Sequence, residues 1–128
     1  MSAPALPLGR GREELRAAKA LLEAGFPSQA LSRAYFAGFH AATATLLVLG
    51  QAPSTRPGVV SEFGRRVIEE GGLEREVGRS LRRLFEDRMD VDYALADAPA
   101  EEAGLAIADA ERLVDATARW VESRSGPR

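Results

Sequence analysis

Cysteine is absent from the chain, which excludes disulfides, thiolate metal sites and cysteine nucleophiles and leaves a reducing cytoplasm as the expected compartment. Histidine occurs once, at His40, so a histidine-rich metal site is excluded as well, and no cofactor or metal is expected. Lysine also occurs once, at Lys19, and the remaining basic charge rests on 16 arginines. No apolar run comes near the ~20 residues of a membrane-spanning helix, and residues 1–12 lack the basic start and apolar stretch of a secretory signal. A soluble protein without membrane contact is expected. The net charge of -2 gives no basic footprint of a dedicated duplex-DNA binder, so any nucleic-acid contact has to be local. No serine stands in a G-x-S-x-G frame and no glycine-rich phosphate loop occurs, which leaves classical hydrolase sites unsupported.

What is present suits one globular domain. The 128 residues, 45% hydrophobic and 28% charged, are enough to bury one core and too few for two, with the ordered part expected over about 12–122. Glycine and proline divide the chain into helix-like blocks, and no stretch of period two is long enough for a strand. The expected fold is all-α, an up-and-down bundle of four to five helices. Helix 1 is expected over Arg12–Ala24 with a stop at Gly25, and helix 2 from an N-cap at Ser28 to Leu49 before Gly50. A loop over Gln51–Pro57 precedes helix 3 at Gly58–Glu70, and helix 4 is expected over Leu73–Ala96. Helix 5 opens at Pro99 with Glu101 and Glu102 in its first turn and runs to Ser123, with a frayed tail from Arg124.

Apolar residues cover nearly the whole circumference of helix 2. Leu31, Ala34, Tyr35, Gly38, Ala42, Leu46 and Leu49 share one face, and Phe36, Thr43 and Leu47 line the other with Arg33 and His40. Such a helix belongs at the centre of a bundle. Its second face, with Arg33, Phe36 and His40, suits a ligand groove or an interface, covered by a second copy of the chain or by helix 5. His40 fits a packed or interfacial role there, with general-base chemistry as the alternative.

On helix 4 the apolar stripe runs Val77, Leu81, Leu84, Arg88, Val91, Leu95. Arg88 therefore occupies a core-facing position, where a guanidinium needs a carboxylate, a phosphate or water to offset desolvation. Asp92, one turn on, can be that partner in a structural pair. Alternatively Arg88 faces a polar cleft and holds a phosphate. Tyr93 projects more than about 90° from Arg88, toward the side that carries Arg75, Arg79, Arg82 and Arg83. With Glu74, Glu76, Glu86 and Asp87 interleaved, those arginines form either a solvated face or a nucleic-acid track.

Four segments in order carry a family resemblance. They are Leu31-Ser-Arg-Ala-Tyr-Phe-Ala-Gly-Phe-His-Ala-Ala, Ser54-Thr-Arg-Pro-Gly-Val-Val, Leu84-Phe-Glu-Asp-Arg-Met-Asp-Val-Asp-Tyr and Glu101-Glu-Ala. Together, over about 12–121, they resemble HEPN domains of the stand-alone prokaryotic branch. The resemblance implies a helical bundle that forms a homodimer and interacts with RNA or a nucleotide. It further implies a minimal nucleotidyltransferase as partner in a toxin-antitoxin pair, with metal-independent endoribonuclease activity in many members. It places the site at Arg88 and Tyr93, to which the i+4 spacing adds Asp92 as the residue that orients Arg88. The catalytic signature of the family is an arginine, four to six residues, then a histidine. Here Arg88 supplies the arginine, Met89 follows it, and Tyr93 stands where the histidine would be, while Thr55-Arg56 stands where this branch often has Thr-His. Three readings follow: the nucleotide- or RNA-interacting partner of a nucleotidyltransferase, an endoribonuclease acting by itself, and a purely structural dimerisation module.

Overall fold

Two helix stops set the geometry of the first half of the chain. After α1 (Ala5–Glu23), the backbone N–H of Gly25 donates to the Leu22 carbonyl at 3.1 Å and that of Phe26 to the Leu21 carbonyl at 2.9 Å, with Gly25 at φ 91°. After α2 (Pro27–Val48), Gly50 at φ 74° donates to Leu47 and Gln51 to Leu46 in the same double pattern. A residue without Cβ adopts this left-handed conformation without steric cost, so each glycine turns the chain while capping the last carbonyls. The computed structural model describes the backbone over residues 5–94 and 98–125 and the side chains over 6–86 and 98–124.

Among the described residues there are five α-helices and no strand. α3 (Arg56–Glu62) starts at Thr55, whose hydroxyl accepts from the Gly58 N–H at 3.0 Å, and continues without a break into a π-helical stretch, Phe63–Glu69. α4 (Arg75–Ala94) and α5 (Ala100–Ser125) complete the bundle. α2 touches all the others, α1 and α5 most extensively, and is the central helix its composition calls for. Its buried alanines, from Ala30 to Ala44, let neighbouring helices approach closely, while Leu31, Tyr35 and Leu46 pack with Phe63, Leu81, Leu84 and Leu113 in the core. No helix among the described residues is long and apolar enough to cross a membrane.

The expected boundaries need four corrections. α1 begins at Ala5 rather than Arg12, despite Pro7, Gly9 and Gly11. Leu8 is buried in the core, and Gly11 lies so close to α2 that a Cβ would stand 3.1 Å from the Ala37 carbonyl oxygen, so tertiary packing outweighs weak local propensity. Ser28 is not the N-cap of α2; the helix starts at Pro27, and the Ser28 hydroxyl accepts the Ala98 N–H at 3.0 Å, tying the start of α2 to the approach of α5. Helix 3 is α-helical only in its first half. Its buried residues Val59, Phe63 and Val67 are spaced by four, and the wider π turn brings Phe63 and Val67 closer to one line than the drift of about 40° that an α-helix gives every four residues. Finally, Arg124 does not begin a frayed tail but lies over the Trp120 ring at 4.2 Å and donates to the Gly71 carbonyl at 3.1 Å.

Candidate functional site

Helix 4 carries the expected stripe as far as it can be followed. Val77, Leu81 and Leu84 are buried, with Leu84 against Gly38 of α2, and the backbone continues helical through Arg88, Asp92 and Tyr93. The side chains of these three candidates lie outside the described residues.

On α2 the structure brings the other three candidates together. The Arg33 guanidinium lies 5.2 Å from the centre of the Phe36 ring and pairs with Glu14 of α1 at 3.1 Å, and Arg56 of α3 approaches the same ring at 5.7 Å. Phe36 packs edge-on to buried Tyr35 at 5.3 Å, and Tyr35 also meets Phe39 and, across the helix boundary, Phe85 of α4. His40 continues the row, its ring 6.2 Å from Phe39. The outcome is a partly exposed aromatic and basic face, flanked by α1 through Glu14.

Burial pushes the His40 imidazole below its ordinary 6.5; Glu14 opposes that shift and Arg10 adds to it. Between the two values the unfolded chain binds the proton and the folded chain does not. The contribution of His40 is therefore fully present above pH 6.5 and is lost as pH falls below it toward the folded value. In His40→Gln, the slope of stability against pH just below 6.5 should flatten, while stability at pH 8 changes by less than about 0.5 kcal/mol. Denaturant titrations at pH 5.5 and 8 check this; an unchanged slope overturns it.

Sequence reasoning missed a second cluster, on the α4–α5 seam. The Asp109 carboxylate of α5 accepts from Ser80 at 3.2 Å, from Arg83 Nε at 3.0 Å and Nη2 at 2.8 Å, and from Arg112 at 3.0 Å. Glu76 closes the network by binding Arg83 at 2.8 Å and Arg79 at 3.4 Å. Arg83 in the first place, and Arg79 after it, hold the Glu76 carboxyl below the ordinary range, and Asp109 followed by Glu76 raises the Arg83 guanidinium further. The available signal was a pair of polar residues in apolar stripes: Ser80 between Val77 and Leu84, and Asp109 between Ala106 and Leu113. Arg83 is thus a structural arginine, and Arg75, Arg79 and Arg82 remain exposed beside it.

The described residues form an all-α bundle around an apolar central helix, the architecture that the family resemblance implies. The chain belongs to the HEPN domain family, whose sequence pattern matches residues 7–120. It is 38% identical over 103 residues to a Methanocaldococcus jannaschii protein named "Putative toxin", a match that covers 80% of this chain and 77% of the relative. It is 34% identical over 114 residues to a Thermotoga maritima "UPF0332 protein", covering 88% and 86% of the two chains. A Gloeobacter violaceus protein of the same UPF0332 designation is 29% identical over 115 residues, 90% of this chain and 87% of that one.

Proposed function

We propose that this chain is the HEPN component of a toxin-type two-component system in the cytoplasm. In this reading it forms a homodimer, interacts with RNA or a nucleotide, and works with a minimal nucleotidyltransferase. The observation that carries the reading is the stripe of α4: Val77, Leu81 and Leu84 are buried in succession, and position 88, next in that series, holds an arginine. A charge at such a position is costly unless an anion meets it, and phosphate matches the planar, bidentate guanidinium. The name of the archaeal relative supports the toxin role. The half-exposed Arg33, Phe36 and His40 face of the central helix supports a second copy as its cover.

Each residue has a role in this proposal. Arg88 holds a phosphate, Asp92 at i+4 orients the guanidinium, and the Tyr93 hydroxyl donates to the phosphate or accepts a nucleotidyl group. In the latter case the phenolic oxygen forms a bond to the α-phosphorus, the bond to the β-phosphate breaks, and pyrophosphate and the phenolic proton leave. A nuclease acting alone is the weaker reading, because a tyrosine with an ordinary pKa near ~10 is a poor proton shuttle at neutral pH.

Purified chain is incubated with single-stranded RNA in chelator, and separately with a cognate nucleotidyltransferase and labelled nucleoside triphosphate. Arg88→Ala should reduce nucleotide or RNA binding, and any cleavage, by about a hundredfold. Tyr93→Phe, which keeps the ring, should abolish labelling. Unchanged labelling in Tyr93→Phe removes the hydroxyl from the site; equal binding in Arg88→Ala together with no labelling of the unaltered chain leaves a purely structural module and overturns the proposal.

A further inference from the structure

The surface between the π-helical stretch and α4 forms a groove of about 590 Å³. Its floor is apolar: Val60, Phe63 and Ile68 line it, and α4 seals it at Gly78, where a Cβ would stand 3.1 Å from the Ile68 side chain. Its rim carries four guanidinium groups, Arg65 from the π-helical stretch and Arg75, Arg79 and Arg82 from α4. The π register puts Arg65 opposite the α4 row.

The rim is incompletely neutralised. Glu62 pairs with Arg65 at 2.8 Å, but Glu76 divides its oxygens between Arg79 at a long 3.4 Å and Arg83 at 2.8 Å, and Arg83 is already held by Asp109. Among the described residues no carboxylate pairs with Arg75 or Arg82, and Glu69 is the one acid lining the groove itself. At i, i+4 and i+7, the three α4 arginines extend over about 10 Å of one helix side. A single small anion reaches one or two of them; a chain of regularly repeated phosphates reaches all.

The geometry points to this groove as a binding site for the phosphodiester backbone of a single-stranded nucleic acid, with riboses or base edges against the apolar floor. The volume matches a small-molecule cleft, about 300–1,000 Å³, and a duplex does not fit it. The overall charge of -2 supplies no diffuse attraction for a polyanion, so binding depends on these few arginines. An acidic peptide is the poorer occupant, because its carboxylates are irregularly spaced and bind guanidinium groups over varied reach. This site is separate from the Arg88 reading and does not rest on it.

The test uses the full chain and a labelled fifteen-nucleotide oligouridine, followed by fluorescence anisotropy across a salt series. In the double variant Arg75→Gln, Arg82→Gln, both changes being at exposed helix positions, affinity should fall at least about tenfold. The slope of log affinity against log salt should shrink by about 1.4, the share of two phosphate contacts on a single strand. Arg88→Ala is measured in parallel. A fall in both affinity and salt slope in the groove variant supports the groove whether Arg88→Ala retains or loses binding, and the Arg88→Ala result bears on the Arg88 reading alone. Binding and salt slope unchanged in the groove variant overturn it, and so does displacement of the oligonucleotide by equimolar ATP or polyglutamate, which would make the site one for a triphosphate or an acidic protein.

Discussion

Asp109→Ala should lower the unfolding free energy by about 2–3 kcal/mol. Removing one partner from a fully buried ion pair costs about 3–5 kcal/mol, because the other charge is left desolvated. Here the carboxylate is only 10% exposed, but Arg83 and Arg112 are 43% and 44% exposed and can turn toward water, which reduces the cost. What they cannot repair is Ser80, fully buried, which loses the acceptor for its hydroxyl. Asp109→Asn keeps the shape and part of the acceptor set and should cost about half as much. Urea titration at constant m decides the matter; a loss below about 1 kcal/mol for the alanine would mean that the α4–α5 seam is held by its apolar contacts alone.

Phe63→Ala should be more damaging, by about 3–5 kcal/mol. Phe63 is fully buried at the junction where α3 passes into the π-helical stretch, in a core that contains Leu31, Tyr35 and Leu84. The cavity cannot close easily, since Val59 and Val67 on either side are themselves buried in the core. A domain of this size has about 5–15 kcal/mol in all, so the variant should show a large fall in the melting temperature. Because Phe63 packs beneath the arginine-rimmed groove and supports its floor, oligouridine binding measured well below that temperature should weaken as well. A loss under about 2 kcal/mol would show that the π-helical stretch rearranges to an α register and fills the space.

The features legible from sequence were those written in short range. Gly25 and Gly50 marked two stops because a left-handed residue is needed where the chain leaves a helix, and Pro99 with Glu101 and Glu102 marked the start of α5. The stripe Val77, Leu81, Leu84 and the apolar circumference of α2 announced which sides would be buried. The misses are non-local. The start of α1 at Ala5 depends on Gly11 meeting Ala37, and Ser28 is diverted from capping by Ala98, 70 residues away. The Ser80–Asp109 link joins two helices 29 residues apart, and no periodicity in either one names the other. Among the site candidates, sequence placed Arg33, Phe36 and His40 on one side of helix 2 but gave no hint that Arg56 and Glu14, from other elements, would stand beside them. The π-helical stretch has no compositional signature, and the four-residue spacing of Val59, Phe63 and Val67 is equally that of an α-helix.

The position of α2 at the centre of the bundle has a consequence for synthesis. Its largest neighbours are α1, made just before it, and α5, whose first contact with it, Ala98 to Ser28, spans 70 residues. At about 5–20 residues per second, a ribosome takes about 4–14 s to make the chain between those points. Throughout that interval the most apolar helix of the chain lacks the cover of α5, with only α1 and the smaller contacts of α3, the π-helical stretch and α4 to shield it. The nascent α1–α2 hairpin thus presents a sticky alanine- and leucine-rich surface for seconds, long compared with the microseconds that helices need to form. Chaperone capture, or pairing of two hairpins on neighbouring ribosomes of one message, competes with α5 for that surface before the monomer core closes.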